Sequence, residues 1–231
     1  MSNSGTDSAA TAYTVLGDDV RHEIEIKRSR FITVLRRVED EPAARGLVAE
    51  LRKEFHDARH HCSAFLIGPD RSIQRSSDDG EPSGTAGIPM LDALLKRQTA
   101  STAAAATDLS DVSAVVVRYF GGILLGAGGL VRAYTESVTT ALDGARLVQR
   151  RRLRLFTVTV AHADAGRLEN DLRTAGYAMT GNSYDAMHTL VGLAVPDNPG
   201  EIERLQARLA AVTAGRSVLV DAGTDWVDTP L

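Results

Sequence analysis

The sequence has a single cysteine, Cys62, among its 231 residues. One cysteine excludes an intramolecular disulfide and a cysteine-rich zinc site, so no disulfide partner is expected and a reducing, cytoplasmic location is predicted. There is also no long apolar run, because arginines and glycines interrupt the longest ones, and no membrane-spanning helix is expected. Residues 1–12 lack the basic and apolar regions of a signal peptide and are predicted to form a disordered tail.

An excess of positive charge is missing as well. The chain has 26 lysines and arginines against 30 aspartates and glutamates, and its net charge is −4. When the chain is divided at residues 144–147, 17 basic residues accompany 20 acidic ones before the division and 9 accompany 10 after it. Binding of nucleic acid would therefore need a local basic patch. The length predicts one or two domains, and a hydrophobic fraction of 43% is enough for sizeable cores.

Glycine is abundant between residues 112 and 134, which read VSAVVVRYFGGILLGAGGLVRAY. The β-branched run at residues 112–117 predicts a buried strand, and apolar spacing from residue 129 to 143 predicts a helix. Such a density of glycine is expected where the backbone needs positive φ or close approach. At least two of four loop glycines are predicted to need it: Gly121, Gly122, Gly128 and Gly129.

A strand that leads through a glycine loop into a helix leaves unpaired N–H groups and a partial positive charge at the helix N-terminus. Arg118 and Arg132 flank this point, and aromatic side chains including Phe120 are available for stacking on bases. The glycine spacing matches neither a dinucleotide fingerprint nor a Walker loop. The segment therefore predicts an anion- or RNA-binding site, with candidate residues Arg118, Tyr119, Gly121, Gly122, Gly126, Gly128, Gly129, Arg132 and Tyr134.

A second glycine-rich segment, residues 78–91, reads DDGEPSGTAGIPML. Its carboxylates could bind Mg²⁺ through oxygen ligands. Alternatively, the side chains of Asp78, Ser83 and Thr85 could hydrogen-bond the loop's own backbone and fix its shape. Both glycine-rich loops are predicted to form one surface site, because binding sites are commonly built from loops on a rigid scaffold. The candidate residues here are Asp78, Asp79, Gly80, Glu81, Gly84 and Thr85.

Three further residues, His60, Arg150 and Arg152, are possible contributors. His60 and Cys62 would share one face of a strand, which suggests a thiol–imidazole pair, although a plain buried cysteine is the alternative. Arg150 and Arg152 lie in a basic run that could face the same cleft as Arg118 or form a solvated linker. No metal and no cofactor is predicted.

The last third of the chain has a repeating pattern of its own. Strands are predicted at residues 153–160, 177–180, 187–195 and 217–220, with helices at residues 165–175 and 199–214. The order βαββαβ is that of a ferredoxin-like fold. Two separately folded domains are therefore predicted to meet near residues 145–152.

The motifs RYFGG, LG and GGLVRAY in residues 118–134, together with DDGEPSGTAGIPML upstream, resemble the two signatures of the YigZ/IMPACT family. The resemblance implies an α+β chain of two domains. Residues 13–146 would form the two-layer α/β sandwich of ribosomal protein S5 domain 2. Residues 150–224 would form a ferredoxin-like domain similar to the last domain of elongation factor G. Eukaryotic relatives act in translational control through a partner protein.

These observations favour a binding protein that associates with RNA or the ribosome and takes part in regulation of translation, with RNA, the ribosome or a translation-factor protein as partner. Two alternatives are a phosphate- or nucleotide-handling enzyme that uses the glycine-rich loop, and a protein-interaction scaffold. Neither signature contains a lysine that would neutralise a transferred phosphate, and no nucleophile–base pair is evident, so no catalytic residue is assigned.

Overall fold

The computed structural model describes residues 10–99 and 107–230. The predicted tail, residues 1–12, lies outside this range except for its last three residues, and Ala12 begins the first strand. The chain divides into two compact units, one comprising the chain up to Arg150 together with residues from Thr229 on, the other Arg151–Asp228. Within the described ranges, no helix combines the length and apolarity needed to cross a membrane.

The first unit is built on a five-stranded antiparallel sheet. The predicted buried strand is the middle strand of this sheet, and residues 112–117 are fully buried. The elements of this unit are β1 (Ala12–Leu16), β2 (Val20–Ile26), β3 (Ser29–Arg37), α1 (Glu41–Glu54), β4 (His60–Ile67), β5 (Ile73–Ser77), α2 (Gly87–Leu95), β6 (Val112–Tyr119) and α3 (Ala127–Asp143). The strands of the sheet lie in the order β2-β3-β6-β4-β5.

Helices cover both faces of this sheet. On β6, Ala114 and Val116 pack into the core that contains α2 and α3, whereas Val115 and Val117 pack against Leu47 and other residues of α1. Both faces of this sheet are therefore packed against helices, and the two-layer sandwich expected for this unit is not confirmed. A sheet with one free face alternates apolar and polar residues, but the uninterrupted apolar run of β6 is the pattern of a strand buried on both faces.

The second unit contains four strands and two helices in the order βαββαβ along the chain. Phe156, Leu172, Leu193 and Leu205 belong to a separate hydrophobic core. The elements are β7 (Leu147–Ala161, which begins in the first unit), α4 (His162–Thr174), β8 (Ala178–Tyr184), β9 (His188–Pro196), α5 (Pro199–Thr213) and β10 (Val220–Pro230). In the sheet these strands lie in the order β8-β9-β7-β10. The chain is thus a mixed α+β protein.

In the last third of the chain, two strands begin three or more residues from the predicted start. β7 begins six residues before predicted residue 153, so Arg150 and Arg152 lie within a strand and not in a solvated linker. The last strand begins at Val220, where the predicted strand at residues 217–220 ended. Both differences arise where polar residues pair in a sheet, because β-propensity reflects the strand's surroundings more than its sequence.

Candidate functional site

Arg118 lies at the end of β6 and is almost fully buried. Its Nη1 atom donates to Oε1 of Glu81 at 2.6 Å, and the two side chains are 7% and 3% exposed. Its Nη2 atom lies 3.4 Å from Oγ of Ser29. A buried charge needs a partner of opposite charge. The expected surface arginine is therefore a buried one whose charge Glu81 balances.

Glu81, in the second signature, contacts two residues of the first. Besides the bond from Arg118, its Oε1 atom accepts a hydrogen bond from the Tyr134 hydroxyl at 2.8 Å. Tyr134 is completely buried, and this burial, with Cys62 and Glu81 nearby, raises its pKa. Tyr134 is consequently a core residue and is not placed to stack on a base.

Cys62 lies beside this network as a buried thiol. Its Sγ atom is 3.0 Å from the carbonyl oxygen of Asp78 and 3.3 Å from the Tyr134 hydroxyl. Burial raises the pKa of Cys62 to about 12, so the thiol stays protonated at neutral pH. His60 instead bonds the carbonyl oxygen of Asp79 through Nδ1 at 2.9 Å. This geometry supports the plain buried cysteine over a thiol–imidazole pair.

Asp78 fixes the shape of the second loop. Its carboxylate accepts hydrogen bonds from the N–H groups of Gly84 at 2.8 Å, Ala86 at 3.0 Å and Gly87 at 2.8 Å. Thr85 Oγ1 donates to the carbonyl oxygen of Pro82 at 2.6 Å. Burial tends to raise the pKa of Asp78, but the three N–H groups outweigh it and the pKa is lowered. The loop therefore hydrogen-bonds its own backbone, as the second of the two alternatives proposed.

The other carboxylates of this segment turn to different partners. Asp79 pairs with Arg52 and accepts from the backbone N–H of His61 at 2.6 Å, whereas Glu81 faces Arg118. Gly80 and Gly84 have φ of 84° and 75°, which glycine tolerates without strain. In the part of the chain that the structure describes, no three His, Cys, Asp or Glu side chains are grouped to hold a metal ion.

The first glycine loop contains the predicted backbone requirements. A Cβ on Gly121 would overlap the carbonyl group of Arg28, and its N–H lies 3.2 Å from Ser29 Oγ. Gly122 has φ of 83°. These two positions confirm the prediction for the loop. Gly126, with φ of 71°, is the N-cap of α3. A Cβ on Gly128 would enter open space, whereas a Cβ on Gly129 would lie 3.1 Å from Leu125 Cβ.

The N-terminus of α3 keeps its positive partial charge. Among the described residues no side chain caps it, and its first turn contains no acidic residue. The helix begins at Ala127, two residues before the prediction, so Arg132 lies in the second turn and not the first. It is exposed and four residues after Gly128, and residues at this spacing share one face of a helix.

A cleft of about 290 Å³ opens between the two loops. Phe120 is 50% exposed and Leu124 is 82% exposed on its rim, whereas Tyr119 is half-buried and its hydroxyl donates to Asp57 at 2.6 Å. The Arg118 guanidinium lies between the rings of Phe31 and Phe120, 5.4 and 5.7 Å from their centroids. The lining includes Arg59, His60, Glu81, Pro82, Arg118, Phe120, Leu124 and Gly126.

The two junction arginines pair within their own units. Arg150 lies 3.2 Å from Glu39 in the first unit. Arg152 donates through Nε to Asp197 at 2.7 Å in the second unit and lies over the ring of Trp226. Neither belongs to the lining of the cleft.

Sequence reasoning missed Ser29, Arg59 and Leu124. Ser29 is the first residue of β3, directly after the β2–β3 turn, and its hydroxyl contacts reach residues about ninety positions away. No local pattern indicates such a contact. Arg59 was identifiable only through its neighbour His60, and Leu124 through its place inside the first signature.

Comparison with known proteins identifies the family to which both loops belong. The sequence pattern of the Impact N-terminal domain family matches residues 27–142, a segment that contains both loops. IMPACT family member YvyE of Bacillus subtilis is 42% identical over 168 residues, which are 73% of each chain. IMPACT family member YigZ of Escherichia coli is 38% identical over 193 residues, 83% of this chain and 88% of its own.

A solved crystal structure of a hypothetical protein is also similar, with a TM-score of 0.59 and 34% sequence identity over 91% of this chain and 97% of its own. This similarity and those of the two bacterial relatives extend over most of each chain. The matched domain contains the loops that form the cleft. The chain therefore belongs to the IMPACT family, of which YigZ is a member.

Proposed function

We propose that this chain is a cytoplasmic RNA-binding protein that takes part in regulation of translation, and that the cleft of the first unit is its binding site. One observation carries the proposal: the uncapped N-terminus of α3, with Arg132 in its second turn, lies beside an exposed aromatic ring, Phe120. Amides and arginine bind backbone phosphates, and an exposed ring stacks on unpaired bases.

The predicted contact residues take different roles in this proposal. Arg132 and the amides at the start of α3 contact phosphate, and Phe120 supplies the stacking surface. Arg118 and Tyr134 are buried and contact no base in this proposal; they hydrogen-bond Glu81 and so hold its loop in place. The net charge of −4 does not oppose binding, because phosphate contacts depend on the local field.

The contacts of the acidic residues favour binding over catalysis. Asp78, Asp79 and Glu81 are each engaged by protein donors, and the Cys62 thiol is protonated. A nucleotide-handling enzyme needs carboxylates that are open to a metal ion and a group that neutralises transferred phosphate. We therefore rank the enzyme alternative last.

A protein-interaction scaffold remains the second candidate, and a specific observation favours it. In the described part of the first unit, all of the exposed large hydrophobic side chains lie in the two signatures. Most of them are aliphatic, and clustered exposed aliphatic side chains are typical of protein interfaces. The partner would be a ribosomal or translation-factor protein. The residues are Ile88, Phe120, Ile123, Leu124 and Val131.

The fold of the second unit is part of the same proposal. We infer a ferredoxin-like domain, because the order βαββαβ and the strand order β8-β9-β7-β10 match that topology. A likeness to the last domain of elongation factor G stays a prediction, as does a likeness of the first sheet to ribosomal protein S5 domain 2.

Titration of a fluorescent single-stranded RNA between 50 and 200 mM salt tests RNA binding. Arg132→Ala is expected to weaken binding, and to reduce the slope of log affinity against log salt by about 0.7, the contribution of one phosphate contact on a single strand. Arg45→Ala is the matched control, because Arg45 is similarly exposed but lies on α1, against the opposite face of the sheet.

Equal slopes for Arg132→Ala and the parent would contradict the assigned phosphate contact. Absence of RNA binding at 50 mM salt would contradict the proposed function itself. The protein-interaction candidate would then take first place, with loss of partner capture by Leu124→Asp as its test.

A further inference from the structure

We propose that the cleft receives one unstacked nucleobase of a single-stranded RNA, with the adjoining phosphate at the N-terminus of α3. The inference rests on the proposed function and specifies what part of the RNA enters the site. Four features of the cleft carry it: its size, its ring, a buried donor without an acceptor, and its position beside an anion site.

The size of the cleft limits what it holds. At about 290 Å³ it is at the lower end of the range for small-molecule sites. It has room for one ring system and not for a run of stacked bases. A base inside a duplex cannot enter, because its neighbours and its pairing partner occupy both of its faces.

Phe120 provides a stacking surface with a defined orientation. The ring is 50% exposed, and the guanidinium of Arg118 lies 5.7 Å from its centroid. Arg118 is in turn held by Glu81 and by the ring of Phe31, so the support beneath Phe120 is buried and fixed. A base can stack on the exposed part of such a ring at little cost in side-chain entropy.

Arg118 also offers a hydrogen bond that the protein does not use. The residue is 6% exposed and lines the cleft, and its Nε atom is buried without a partner among the described residues. Buried donors are almost always paired in folded proteins, so an unpaired one points to a missing acceptor. The edge of a nucleobase presents ring nitrogens and carbonyl oxygens, which an aliphatic side chain lacks.

The position of α3 supplies the remaining part of a nucleotide. Gly126 and Ala127, at the start of the helix, belong to the lining of the cleft, and Arg132 lies one turn further along. A phosphate here would meet free N–H groups and the positive end of the helix dipole. A flat ring with acceptors joined to a phosphate is the repeating unit of an RNA strand.

The test uses five-nucleotide RNAs of equal charge and the full-length protein. A fully abasic strand provides the phosphates alone, a second strand has one uracil at its centre, and a third has two uracils. The first uracil is expected to raise affinity about 10-fold, the gain of one stacked base. The second uracil is expected to add less than about 2-fold, because the cleft holds one base.

Variants assign the gain to the cleft. In Phe120→Leu the one-uracil and abasic strands should bind alike, whereas Tyr184→Leu, which removes an exposed ring of the second unit, should keep the difference. A strand with a phenyl group in place of uracil stacks without an acceptor, so it should regain only part of the affinity. Full affinity for the phenyl strand would overturn the role of Arg118.

The remaining outcomes separate this inference from the proposed function. Equal binding of abasic and one-uracil strands would overturn the base pocket and leave RNA binding intact. Equal gains from the first and second uracil would also overturn it, in favour of an extended stacking surface. No binding of any strand, the abasic one included, at 50 mM salt would overturn both.

Discussion

Asp78 shows how one side chain determines the shape of a whole loop. A single carboxylate accepts from three backbone N–H groups within nine residues of itself. Hydrogen bonds to a charged acceptor are stronger than those between neutral groups. The loop therefore holds Glu81 beneath the cleft because Asp78 has already ordered the backbone that follows it.

Asp78→Asn is expected to lower the free energy of unfolding by about 2 kcal/mol, because the new amide group can accept at one atom only and its NH₂ opposes one of the N–H donors. The lowered pKa of Asp78 gives this difference a pH dependence. It is fully present above the ordinary pKa of 3.8 and is lost as pH falls through the lower pKa of the folded state.

Urea unfolding of both proteins between pH 7 and pH 2.5 measures the difference. Asp92→Asn is the control, since that carboxylate is half-exposed and pairs with Lys96 one turn away, and it should change stability by less than about 0.5 kcal/mol. A difference between parent and Asp78→Asn that grows towards low pH would be incompatible with the assigned role.

The roles of Asp78 and Arg118 were not equally predictable from the sequence. Asp, Ser, Thr and Gly within ten residues indicate a self-bonded loop, and this local chemistry supplied the correct alternative for Asp78. Arg118 was expected to face solvent because its partner Glu81 lies 37 residues away. Only the pairing of β4 with β6 and the packing of α3 bring these residues together.

At the scale of elements, the loop between β6 and α3 uses its glycines for different purposes. Gly121 packs against the backbone of Arg28, which belongs to the turn between β2 and β3. In that turn Lys27 and Arg28 both have positive φ. Paired positive φ values are typical of tight hairpin turns that match strand twist. Gly128 has no positive φ, and a Cβ added to it would meet no described atom outside its own helical turn within 4 Å. One glycine is thus required by packing and the other is not.

Alanine at these two positions should have opposite effects on stability. Gly121→Ala is expected to cost about 3 kcal/mol, because the new methyl group overlaps backbone atoms that cannot move aside cheaply. Gly128→Ala is expected to add about 0.5 kcal/mol, since alanine loses less entropy in a helix. Thermal unfolding monitored by circular dichroism compares them, and two equal losses would refute the distinction.

The sequence predicted elements well where apolar periodicity was strong and less well where it was weak. β6, α3 and the order βαββαβ follow from such periodicity. β10 contains three aspartates and a glycine, residues that are depleted in strands, and it is held by pairing with β7. That pairing is a long-range contact, so local propensity placed the strand too early.

At the scale of the whole molecule, each unit has its own apolar core, and separate folding of the two units stays a prediction. Leu193→Ala empties a fully buried site in the second core and should cost that unit about 2–5 kcal/mol. Hydrogen exchange should then show faster exchange in β9 and α4, with unchanged protection in β6 and α3.

Leu142→Ala, which removes an equally buried leucine of the first core, is the reciprocal control and should give the reverse pattern. Loss of protection in both units with either substitution would mean that the chain unfolds as one cooperative body.

The single cysteine and the single tryptophan of the sequence lie in different units, so each unit contains one natural probe of its opening. Cys62 is completely buried, so a thiol reagent can modify it only during moments when the first unit opens, and the labelling rate counts those openings. Trp226 lies in β10 beside Arg152, so its fluorescence should change when the second unit unfolds. Opening of each half can be timed without introducing any label.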